Sequence, residues 1–150
     1  MRLDSAKTNR HVIVFVGLMA ASLLALLLLP PIPQDQDYHQ FADKRTSLGV
    51  PNFWNVVSNI PFIVIGAIGW RQFHRDPAII MLFLGILLTG FGSSYYHLDP
   101  SDRTLFWDRL PMAISFMAIL AITVEERVNA RAGAVLLWPL IAIGVLSLLL

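Results

Sequence analysis

The stretch GFGSSYYHLDPSDRTLFWDRLPM (residues 90–112) decides how this chain folds, because it holds a histidine and an aspartate where two long apolar segments meet water. On its N-terminal side lies an apolar run over 78–96, and on its C-terminal side another over 105–124. The turn between them, LDPSDRT, is too short to do anything but return the chain beside itself. His97 follows Ser93 at i to i+4, which puts both side chains on one helical face. Asp108 stands about one turn inside the next helix. These three polar groups are therefore expected to converge.

Working outward, three further apolar runs cover 12–29, 53–70 and 133–150. Segments of about 18 residues or more are long enough to cross the ~30 Å hydrocarbon layer as helices, and unpaired backbone groups are not tolerated there in any other form short of a closed barrel. Of the 150 residues, 56% are hydrophobic and only 14% charged, with a mean hydropathy of +0.64. An all-α membrane protein is predicted, a single-domain bundle of about five transmembrane helices. The first run follows Arg2, Lys7 and Arg10 as a signal peptide would, but its length and the absence of a small-x-small cleavage site favour a retained anchor.

Net charge is +1 with the basic residues dispersed, so there is no electrostatic footprint for nucleic acid. Cysteine is absent, which leaves His, Asp, Glu and hydroxyl oxygens as metal ligands. With a cytoplasmic N-terminus, Arg2, Lys7, Arg10, Arg71, Arg75, Arg127 and Arg131 fall on the inner side, and Lys44, Arg45, Arg103 and Arg109 on the outer. The positive-inside rule favours that orientation.

Whatever the orientation, alternating spans bring the loop over 30–52, the start of the second span, the end of the third and the start of the fourth to one face. Most of the unusual polar residues lie there. Asn55, Ser58 and Asn59 form a stripe on the second span, where helix packing competes with a role at a site. His39, Asp35, Asp37 and Asp43 lie in a loop that reads either as solvated or as oxygen ligands for a hard cation such as Ca²⁺. His11 and His74 read as interfacial.

NFWNVVSNIPF (52–62), GFGSSYYH (90–97) and WDRLPM (107–112) together resemble the alkaline ceramidase family, seven-helix membrane zinc amidases related to the adiponectin receptors. FWN-x-VSN, G-S-x-x-x-H and D-x-LPM occur in that order, at 53–59, 92–97 and 108–112. The resemblance covers about 37–125, with the helix over 12–29 as an addition in front. It implies hydrolysis of the amide bond of ceramide or a related lipid amide. His97 would be one of three zinc-binding histidines, Ser93 would bond the substrate carbonyl, Asp108 would handle protons, and Ser58 would line the same site. The family's other two zinc histidines come from an H-x-x-x-H pair that this chain does not contain, and a C-terminal truncation is expected on that ground. Relatives in animals bind calcium through an acidic N-terminal segment, which points here to Asp37, Asp43 and Asn52, where Asn52 replaces a glutamate. A receptor or sensor with a structural metal is the second class of function, and haem-based electron transfer a third.

Overall fold

The computed structural model describes residues 5–30, 32–73 and 75–149, with the side chains of 5–9, 11 and 26 left aside. Six helices follow one another: α1 (Ser5–Leu28), α2 (Phe53–Val57), α3 (Ile60–Gln72), α4 (Pro77–Leu98), α5 (Asp102–Arg127) and α6 (Ala130–Leu146). A single 3-10 turn, Gln36–His39, interrupts the long connection before α2. The protein is an all-α membrane protein. Three stretches are long and apolar enough to span a bilayer, namely Phe53–Gln72, α4 and α5, while Val12–Ala25 and Ala130–Leu146 are shorter apolar helices. All five expected segments are thus helical, and among the described residues three of them are both long and apolar enough to span. His74 and the side chain of His11 lie outside the described residues.

The starts of α4, α5 and α6 are set by side-chain caps. Asp76 accepts from the backbone N–H groups of Ala78 and Ile79, and Pro77 fills the first helical position, where a missing donor costs nothing. Ser101 and Thr104 form a reciprocal capping box that starts α5, and Asn129 caps α6. Each of these polar caps lies two to four residues before the apolar run that it opens.

The second span is not one helix. Pro61 has no N–H to give to the carbonyl of Val57, and its ring crowds the preceding turn. The chain therefore breaks between α2 and α3, and the Ser58 hydroxyl and Asn59 amide both turn back to the carbonyl of Asn55, at 2.8 and 2.9 Å.

α4 is the central helix, packed against α3 on one side and α5 on the other, with α6 against α5. Close approach depends on residues without side chains, as expected where lipid supplies no hydrophobic drive between helices. Pro111 deprives the Trp107 carbonyl of its helical donor, and Gly92 of α4 lies directly over that freed oxygen; a Cβ on Gly92 would come within 2.1 Å of it. Gly66 meets the backbone of Leu87 in the same way. Ala118, Ala121, Leu137 and Leu140 form the packed centre of α5 and α6. Phe91, Val135 and Trp138 point outward, which in a bilayer is the lipid-facing surface.

Candidate active site

α4 ends and α5 begins at the same face as residues 32–59, and six long-range contacts fasten that arrangement. Arg109 donates to the Gln34 side chain at 2.7 Å, and its guanidinium lies 5.4 Å from the centre of the Tyr38 ring. Gln36 donates to Asp102 at 3.1 Å. His39 bridges Tyr96 and Asp102. Asn52 donates its side-chain amide to the main-chain carbonyl of His97 at 2.8 Å. The polar residues are gathered at one mouth of the bundle.

Beneath that mouth is a cavity of about 370 Å³ bounded by α3, α4 and α5. Asn59, Ser93 and Asp108 line it near the mouth; Thr89 and Ser115, whose hydroxyls are turned back to carbonyls of their own helices, and the apolar Leu82, Phe116 and Ile119 line the rest. Ser93 is buried, and its side chain faces the Asp108 carboxylate across the cavity wall. The imidazole of His97 faces the same carboxylate closely enough for the two charges to interact. Its Nδ1 is buried without any hydrogen-bond partner. A polar atom left in that state costs roughly 1–3 kcal/mol, which makes this imidazole a candidate to hold a ligand.

Ser93, His97 and Asp108 are therefore brought together. Ser58 is not: it is exposed at the break before α3, and its hydroxyl is occupied by the Asn55 carbonyl. Asn59, which the sequence reads as a packing residue, takes the place at the cavity wall and is only 4% exposed. The kink at Pro61 shifts the polar stripe by one position, and a stripe read on an unbroken helix misses that.

The three residues considered for calcium have separate occupations. Asp37 is exposed in the 3-10 turn. Asp43 pairs with Arg45 and accepts from the backbone N–H of Trp54 at 3.3 Å, which ties the loop to the start of α2. The hydrogen bond from Arg45 holds the Asp43 carboxyl below the usual carboxylate range. Asn52 is committed to His97 and adopts the left-handed conformation, φ 47°. Among the described residues, no group of three or more His, Cys, Asp or Glu side chains is placed to hold a metal. For zinc, the orphaned Nδ1 of His97 beside Asp108 fits one ligand position, and this chain's described residues supply no complete set.

A family model described as Ceramidase matches residues 45–150. The chain belongs to the ceramidase family. The match contains all three motifs and extends through α6, beyond the end of the resemblance at about 125, while α1 precedes it. No curated protein and no solved structure matches the chain. Membership places this ceramidase-family protein among the hydrolases of ceramide-related lipid amides.

Proposed function

We propose that this protein is a membrane-embedded, zinc-dependent hydrolase of the amide bond of ceramide or a closely related lipid amide, with its reacting groups at the mouth formed by α4 and α5. One observation carries this reading: Ser93 and Asp108 face each other, with the unpartnered Nδ1 of His97 alongside, at the head of a largely apolar cavity. His97 would hold the metal as one of its ligands. Zinc bound there supplies Lewis-acid polarisation of the carbonyl and makes water easier to deprotonate.

The chain's own residues account for the proton movements. The Asp108 carboxylate takes a proton from the attacking water as the water oxygen bonds to the carbonyl carbon. The Ser93 hydroxyl turns its single proton to the carbonyl oxygen, where negative charge develops. Asp108 then gives its proton to the amide nitrogen as the C–N bond breaks, and a fatty acid and a sphingoid amine result. The cavity below holds the acyl chain out of water. The distribution of basic residues supports a mouth on the side away from the cytoplasm.

The test is release of fatty acid from ceramide by the full chain in lipid, with zinc supplied, compared with His97→Ala and Asp108→Ala. Loss of turnover in both variants supports the assignment; full activity in either one removes that residue from the mechanism.

A further inference from the structure

His39 is the one imidazole at the mouth that the proposed chemistry does not use, yet its side chain is only 8% exposed and both ring nitrogens are engaged. Nδ1 lies 2.9 Å from the Tyr96 hydroxyl, and Nε2 lies 3.0 Å from the Asp102 carboxylate. An ionised carboxylate only accepts, so Nε2 carries a proton. In the neutral ring Nδ1 then accepts from the phenol. In the doubly protonated ring it donates to the same oxygen, and both contacts persist. His39 thus links the last turn of α4 to the first turn of α5 from a loop 57 positions away from Tyr96.

Tyr96 precedes His97 directly and is 2% exposed, so fixing its phenol fixes the rotation of the turn that carries His97. Two residues after His39, the ring of Phe41 meets the His97 imidazole edge-on, with centroids 4.6 Å apart. The same short loop therefore holds His97 through its neighbour and through its own ring. We infer that His39 is a positioning residue for His97, clamping the end of α4 through Tyr96 and Asp102 and setting Phe41 against the catalytic imidazole.

This inference rests on the reading of His97 as a reacting group, and its test keeps the two apart. The full chain, labelled with ¹⁵N-histidine and held in lipid nanodiscs, is followed by NMR through the ring nitrogens of His97, assigned by their disappearance in His97→Asn. His39→Ala and Tyr96→Phe are each expected to shift or split the His97 signals. His39→Gln, whose amide can donate to Asp102 and accept from Tyr96, is expected to restore them, and Asp102→Asn, which still accepts, to leave them in place. In turnover assays His39→Ala is expected to lower kcat by about 10- to 100-fold, the loss usual for a group that orients a ligand, with KM little changed. Unaltered His97 signals in both His39→Ala and Tyr96→Phe would overturn the inference. Should His39→Ala fail to fold, Tyr96→Phe, which loses one oxygen, decides by the same signals. A wild type inert toward ceramide but with His97 signals that respond to His39 would sink the proposed function and leave this inference standing.

Discussion

Asn52 and His97, 45 positions apart in sequence, are joined by a 2.8 Å hydrogen bond from the asparagine amide to the histidine's main-chain carbonyl. That carbonyl is in the last turn of α4, where no helical donor is available to it. Asn52 also needs φ 47°, a conformation that asparagine tolerates better than alanine. Stability is therefore expected to fall in the order Asn52, Asn52→Gly, Asn52→Ala. The glycine variant loses about 1 kcal/mol for the hydrogen bond. The alanine variant loses a further ~1–2 kcal/mol for the left-handed backbone. Thermal unfolding of the three proteins in the same detergent measures the order, and equal stability of the alanine variant and the parent would show the bond to be idle.

Ser93 and Asp108 face each other at the cavity wall, whereas Ser58 is spent on the Asn55 carbonyl in the open. Asp108→Asn keeps a hydrogen-bonding group but cannot take a proton from water. Its kcat on ceramide is expected to fall by about 10²- to 10⁴-fold, the range for a lost general base. Ser93→Ala is expected to fall by roughly 10²- to 10³-fold, as for a lost oxyanion donor. Ser58→Ala is expected to match the parent. A large loss in Ser58→Ala would mean that the break before α3 closes during turnover.

The convergence of Ser93, His97 and Asp108 was legible in the sequence because it depends only on local rules. An i to i+4 spacing sets one face, and a short turn sets the two helices side by side. The displacement of Ser58 by Asn59 was less legible, although Pro61 was its signal: a proline two residues past the stripe ends the helix and rotates what precedes it. The bonds of His39 to Tyr96 and Asp102, and of Asn52 to His97, were not legible at all. They join loop residues to helices tens of positions away, and neither periodicity nor capping chemistry specifies such pairs. The helices and their order could be read from the chain, then, but not the loop that holds the site in shape.

Gly92 has the freed Trp107 carbonyl against its Cα, and an added methyl would come within 2.1 Å of that oxygen. A main-chain atom has no rotamer to escape into, so α4 and α5 must separate. Gly92→Ala is expected to cost about 1–3 kcal/mol, the usual range for overpacking. Activity is expected to fall with it, because Ser93 is the next residue and Asp108 follows Trp107. Gly17→Ala, where nothing lies within 4 Å, is the control and is expected to leave both stability and turnover unchanged.

The Asp43 carboxyl is held below its ordinary range first by the hydrogen bond from Arg45, and it caps the start of α2 at the Trp54 N–H. A carboxyl whose folded value is depressed stabilises the fold above its unfolded value, and that contribution disappears as pH falls through the folded one. Protection of the Trp54 amide, measured against the intrinsic exchange rate at each pH, is therefore expected to fall on acidification below the ordinary carboxylate range and to be constant near neutrality. Asp43→Asn should remove this acid sensitivity, while Arg45→Ala should move its onset to higher pH. An onset that stays put in Arg45→Ala would show that the pair does not set it.

The shape of the cavity bears on which chains the site accepts. Ile86 lines it seven positions before Ser93 on α4, which is about 10 Å down the helix from the reacting groups at 1.5 Å per residue. A tryptophan there fills the lower part of the cavity and leaves Ser93, Asp108 and the mouth untouched. Ile86→Trp is therefore expected to lower kcat/KM for ceramides with long N-acyl chains while sparing those with short ones. The ratio between the two is the quantity to follow, since a general loss of folding would lower both equally. An unchanged ratio would mean that the acyl chain leaves the reacting groups by another path, and the groove lined by Phe91, Tyr95 and Trp107 on the opposite side of α4 and α5 would be the next place to obstruct.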